Sequence, residues 1–182
     1  MSAGRHLDAA LAAEADAYRA LLSGRPAKAS LERARDAYLA SHADTGPASW
    51  GRLLGALKMA ILAGDGVDAV ARRAAAEATD AGSPASAYVL ALARVALGEP
   101  PDVEPMLEAG GAFEHTGRAL AGLSEGDQQA YVEALGAILA DFASRDQHLT
   151  GVAFADTAAV LERLAEGRGM AVHPDSPLLP RA

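Results

Sequence analysis

The chain has 182 residues, 51% of them hydrophobic but only 4% aromatic, with no cysteine and a formal net charge of −8. That length suits one domain or a short array of repeats, and the missing cysteine excludes disulfides, zinc ribbons and thiol catalysis. The acidic balance argues against nucleic acid, which needs a basic face, and against an anionic membrane surface. It suits a basic protein partner.

Alanine, the strongest helix former, supplies much of the hydrophobic fraction. Apolar residues recur at three- and four-residue steps, and no period-two run bounded by turns indicates a strand. Leu7, Leu11, Tyr18, Leu21 and Leu22 mark a first helix, stopped by Gly24 and Pro26. Leu31, Ala34 and Tyr38 line a second, ending before the loop at 44–47. Trp50, Leu53, Leu54, Leu57, Ala60 and Ile61 line a third, closing at Gly64. Val67, Val70, Ala71, Ala74, Ala75 and Ala78 form the stripe of a fourth, ending at Gly82. Ser83 then Pro84 read as an N-cap followed by proline at the first helical position, opening a fifth helix that runs to Gly98. A short helix carries Val103, Met106 and Leu107, and Gly110–Gly111 separates it from another running from Phe113 to Leu123. Tyr131, Ala134, Leu135, Ile138, Leu139 and Phe142 give the clearest stripe. A last helix uses Phe154, Thr157, Ala158, Leu161 and Leu164.

The expected fold is therefore all-α, with eight or nine short antiparallel helices over residues 1–173. A proline-rich strap follows over 174–182, because Pro174, Pro177 and Pro180 forbid a helix there. The turn glycines Gly24, Gly64 and Gly126, with Trp50, Leu53 and small residues in the following helices, resemble tetratricopeptide hairpins. Their spacing drifts, so a superhelix and an irregular bundle both stay open. Asp8, Glu14 and Asp16 interrupt the apolar stretch that a signal peptide needs. Lys58 and Arg94 break the longest apolar runs below membrane-spanning length. A cytoplasmic location is expected.

Chemistry-bearing motifs are sparse. Gly64-Asp-Gly66-Val-Asp-Ala69 fits a dinucleotide fingerprint by spacing, but it follows a helical stripe rather than a strand, so it reads as a helix corner and no cofactor is expected. The histidines at 6, 42, 115, 148 and 173 lack the four-residue pairing of a helical metal site, so no metal ligands are assigned. Glu114 and His115 open one helix, and the segment from Arg145 to His148, with Asp146, closes another. These placements suit the helix dipole or an acid–base pair in a cleft. Glu114, His115, Asp146 and His148 are the candidate partner-contacting residues, and no catalytic residue is assigned. The only lysines are Lys28 and Lys58, so a Schiff-base enzyme would need one of them. The polar neighbours Ser49 and Arg52 suggest an exposed edge for Lys58.

From Ser124 the order of features is more distinctive. Gly126-Asp127 leads into the helix of Tyr131 to Phe142, then come Leu149-Thr-Gly-Val, Leu161-Glu-Arg-Leu-Ala165, Arg168-Gly169-Met170 and Ser176-Pro-Leu-Leu-Pro180. This layout resembles the carboxyl-terminal part of immunity protein 49, an all-helical family of polymorphic-toxin systems. The resemblance implies a non-catalytic protein-binding module that neutralises a cognate toxin, with a basic toxin domain as partner. Two other expectations stand beside it. One is a small helical enzyme or ligand-binding bundle, in which at least three of His42, Glu114, His115, Asp146 and His148 share a pocket. The other is a structural homodimer completed by apolar stripes.

Overall fold

The glycine turns and alanine stripes produce nine helices in a computed structural model that describes residues 3–80 and 82–180, with no strand among them. They are α1 (Ala3–Leu22), α2 (Lys28–Thr45), α3 (Trp50–Ala63), α4 (Val67–Glu77), α5 (Pro84–Ala96), α6 (Glu104–Ala109), α7 (Gly111–Glu125), α8 (Gln128–Ala143) and α9 (Asp156–Glu166). Local chemistry sets several ends. Gly64 and Gly126 close α3 and α7 in the left-handed conformation that side chains resist. Ser83 accepts the Ser86 amide ahead of Pro84, and Asp127 accepts the Ala130 amide, so both side chains cap as N-cap chemistry requires.

Three boundaries differ from the sequence reading. Helix α4 stops at Glu77 rather than at Gly82, because Ala78 leaves the helical conformation with a ψ of 76°. Helix α2 runs on through Asp44 to Thr45, because Thr45 bonds back to the Ser41 carbonyl and Gly46 supplies the stop. Helix α9 begins only at Asp156, so Phe154 lies in the preceding connection rather than on the helix, although it is still buried.

Short connections fold each helix back on its predecessor, so α1 packs on α2, α2 on α3, α4 on α5 and α7 on α8. An open solenoid would stop at such neighbour contacts. Here α9 returns to pack on α3, α7 and α8, and α5 touches both α3 and α7. The chain thus closes into an irregular bundle, with α3 enclosed by α2, α4, α5 and α9. Leu53, Leu57, Met59, Leu92, Leu120, Tyr131, Leu135 and Leu161 fill the centre. Each buried side chain of this size stabilises by about 1.5–3 kcal/mol, and the many buried alanines let the helix backbones come close.

Through residue 180 the strap packs on the bundle; residues 181 and 182 of the expected strap lie outside the described residues. Leu179 is buried, and the Ala155 amide donates to the Leu178 carbonyl at 2.9 Å. Glu162 of α9, itself buried, accepts the Val172 amide at 3.1 Å and the His173 amide at 2.6 Å. His173 takes a left-handed φ of 47° to make this turn.

Candidate functional site

A cavity of about 290 Å³ opens where α1, α3, α5, α7, α8, the loop after α8 and α9 meet. Its floor is polar and buried. Glu14 of α1 accepts hydrogen bonds from the phenols of Tyr18, one turn along, and Tyr38 on α2. Beside it, Lys58 of α3 donates to Asp156 at 2.6 Å and to Thr157 at 3.0 Å, both at the start of α9. The Tyr88 hydroxyl of α5 donates to the same Thr157 oxygen at 3.4 Å, and its ring lies 5.3 Å from the lysine ammonium.

Phe113, Ile138, Phe142, Val152 and Phe154 make the apolar walls. Phe154 stacks on Tyr18 with ring centroids 4.2 Å apart. At the mouth Arg145 lies over the Phe142 ring, 3.8 Å from its centroid, and pairs with Asp141 one helical turn earlier. His148 stacks on the same Phe142 ring, and the exposed Leu149 adjoins it.

Burial raises the Glu14 carboxyl above its ordinary value despite the two phenol donors, and the charge of Asp156 adds to the rise. Burial disfavours the Lys58 ammonium, but the Asp156 charge and the Tyr88 phenol overcome it and hold the lysine protonated beyond its usual range. Desolvation likewise pushes the Tyr18 and Tyr38 phenols up, helped by the charge of Glu14. A lysine held this firmly as an ammonium is a positioned cation and hydrogen-bond donor. It has no free amine for Schiff-base chemistry near neutrality.

The exposed edge expected for Lys58 is thus corrected: its side chain is 10% exposed. Ser49 and Arg52 lie at the amino-terminal end of α3, whereas Lys58 lies mid-helix where neighbours cover every side. Of the four candidate partner contacts, His148 alone lines the cavity. Glu114 pairs along α7 with Arg118 at 2.8 Å, His115 is half-buried on that helix, and Asp146 is exposed in the loop after α8. His42 belongs elsewhere, buried between Ser49 at 2.7 Å and Glu77 at 2.6 Å. No three of His42, Glu114, His115, Asp146 and His148 share this pocket. Among the described residues, no group of three or more histidines and acids is placed to hold a metal ion. Nor is any helix there long and apolar enough to cross a membrane.

The residues that do converge had left a trace in the sequence. Glu14 falls on the stripe of Leu7, Leu11, Tyr18 and Leu21, the only charge on that face. Lys58 is the one charge between Leu53 and Ala63. A charge on an apolar stripe is one that the fold must bury with partners.

A second concavity lies between α9 and the strap, lined by Glu162, Arg163, Glu166 and His173. Two of its three acids are engaged within the fold, Glu162 by the strap amides and Glu166 by Arg163, and the third, Asp175, lies on the strap. The first cavity is therefore the better candidate site. Compared with protein-family models, curated proteins and solved structures, the chain matches none.

Proposed function

We propose that the protein is a non-catalytic binding protein whose working part is the cavity floored by Glu14, Lys58 and Asp156. The observation that carries this reading is the conjunction of two buried charged groups, Glu14 and Lys58, and the half-buried Asp156 with an aromatic-walled cavity open at one end. Stability alone gives little reason to keep such groups, since apolar replacements of buried ion pairs are often neutral or stabilising. An apolar cavity with a few convergent polar groups is the usual form of an organic-ligand site. The test is a thermal-shift screen of the full chain against small molecules that span positive, neutral and negative charge. Bound ligands raise the melting temperature, and Ala112→Trp, at an exposed position on the cavity rim, removes the shift. A library that leaves the melting temperature unmoved throughout sinks the reading.

The immunity-type reading keeps one specific support, the excess of 24 acidic over 16 basic residues, which suits a basic toxin domain. Rescue of cells expressing a toxin encoded beside this chain tests it. Absence of binding to any neighbouring gene product removes it.

A further inference from the structure

We propose that the cavity takes a small organic cation, with an apolar body against the aromatic walls and a protonated amine paired with Glu14. The proposal rests on the reading of the cavity as a ligand site and adds the chemical class.

The charges lining the cavity are matched except one. Lys58 is bound to Asp156 at 2.6 Å, and Arg145 to Asp141. Glu14 is left with two phenol hydroxyls, which donate hydrogen bonds but carry no positive charge. A buried carboxylate in this position gains most from a cation, and an ammonium can donate to the lone pairs that the phenols leave free. Consistent with this, burial and then Asp156 raise the Glu14 carboxyl, while the Tyr18 and Tyr38 hydrogen bonds and, least of all, Lys58 offset only part of the rise.

The walls point the same way. Tyr18, Tyr88, Phe113, Phe142 and Phe154 line the space, and aromatic faces attract ammonium groups. Two of these rings already carry internal cations, Lys58 near Tyr88 and Arg145 over Phe142. An anion would be repelled by Glu14 and find Lys58 already donating to Asp156 and Thr157. About 290 Å³ is at the lower limit of the roughly 300–1,000 Å³ typical of such sites, which limits the ligand to a small amine. The net charge of −8 draws cations toward the protein as a whole.

Titration calorimetry on the full chain with three matched probes decides the matter: phenethylammonium, the neutral 2-phenylethanol and the anionic phenylacetate. The cation is expected to bind at least about tenfold tighter than the neutral probe, the margin of a charge-assisted over a neutral hydrogen bond, with the anion weakest. Glu14→Gln, checked for folding by circular dichroism, is expected to remove that margin while leaving 2-phenylethanol binding in place. The ranking on the unmodified chain needs no variant, so a misfolded substitution does not stop the test. Equal or tighter binding of the neutral or anionic probe overturns the cation assignment and leaves the ligand-site reading standing. No binding by any of the three also overturns it, and the ligand-site reading then falls only if the charge-diverse screen is blank as well.

Discussion

Lys58 and Asp156 are 98 residues apart in the chain and 2.6 Å apart in the fold, and their contact ties α3 to the start of α9. Removing one partner strands the other's charge away from water. Asp156→Ala is expected to destabilise by about 3 kcal/mol, and the double variant Lys58→Met/Asp156→Ala by less, because no orphaned ammonium remains. Urea denaturation of the two singles and the double gives the coupling, and an additive result would refute the pairing. The pH dependence has a definite sign. The folded lysine titrates above its ordinary value of 10.5. Its stabilisation is therefore complete below pH 10.5 and disappears only as pH rises through the higher folded value. The stability gap between the native chain and Lys58→Met should stay level from pH 7 to 10.

Glu14 follows the same sign at the acid end. Its folded carboxyl titrates above the ordinary 4.5, so its favourable contribution is complete below that pH and is lost as pH rises through the folded value. The native chain should thus lose stability relative to Glu14→Gln between pH 4 and 7. Melting curves of both proteins across that range check this, and a gap independent of pH contradicts a buried, cation-free carboxylate. Tyr38→Phe deletes one of the two donors and should destabilise by about 1.5–3 kcal/mol at pH 7, the worth of a hydrogen bond to a charged group.

Much of the fold was legible because helix stops are local events. Gly64, Gly126, Ser83 and Asp127 act within one turn of themselves, and each ends or starts a helix where the sequence pattern places it. The return of α9 onto α3 was not legible, since nothing local to either helix specifies which distant partner its stripe meets. The candidate site shares that limit. Its residues come from separate helices, and motif searches look for neighbours in sequence. Glu14 on an apolar stripe and Lys58 in an apolar helix were readable as burial problems, but only the tertiary contact shows how each is solved.

His42 forms a separate latch between the end of α2 and α4. Its ring bonds Ser49 and Glu77, and Arg73 holds the other Glu77 oxygen at 2.7 Å. The bond to His42, then that to Arg73, lowers the Glu77 carboxyl below its ordinary 4.5. Stabilisation from this group is present above that value and lost as pH falls through the lower folded one. Glu77→Ala is expected to destabilise by about 1–3 kcal/mol at pH 7, because the buried imidazole loses its partner, and by less at pH 3. Denaturant midpoints at the two pH values report the difference.

Two helical glycines should respond oppositely to alanine. A Cβ at Gly122 would meet the Tyr131 backbone nitrogen at 2.9 Å, where α7 and α8 touch, so neither side can yield without shifting a helix. Gly122→Ala should destabilise by about 1–3 kcal/mol. Gly136, exposed within α8, has nothing within 4 Å of such a carbon. Gly136→Ala should stabilise by about 0.5–1 kcal/mol through helix propensity. Thermal melts of both variants test the pair, and like signs would contradict the close α7–α8 approach.

Glu162 fastens the strap, and its loss should release that segment before it harms the bundle. One carboxylate takes the Tyr131 hydroxyl at 2.5 Å together with the amides of Val172 and His173. Those two amides bridge α9 to an extended segment that otherwise relies on Leu179 and the Leu178 carbonyl. Glu162→Ala removes both acceptors and also leaves the Tyr131 hydroxyl unpaired in the core, a loss of about 1–3 kcal/mol. Hydrogen exchange at Val172 and His173 should accelerate far more than at Leu135 or Ile138, which stay packed in α8. His173→Gly separates the two effects. It keeps the amide and removes the side-chain strain of a φ of 47°, so it should preserve exchange protection and stabilise by about 1 kcal/mol. Faster exchange in the glycine variant would mean that the histidine side chain, and not its backbone, holds the strap in place.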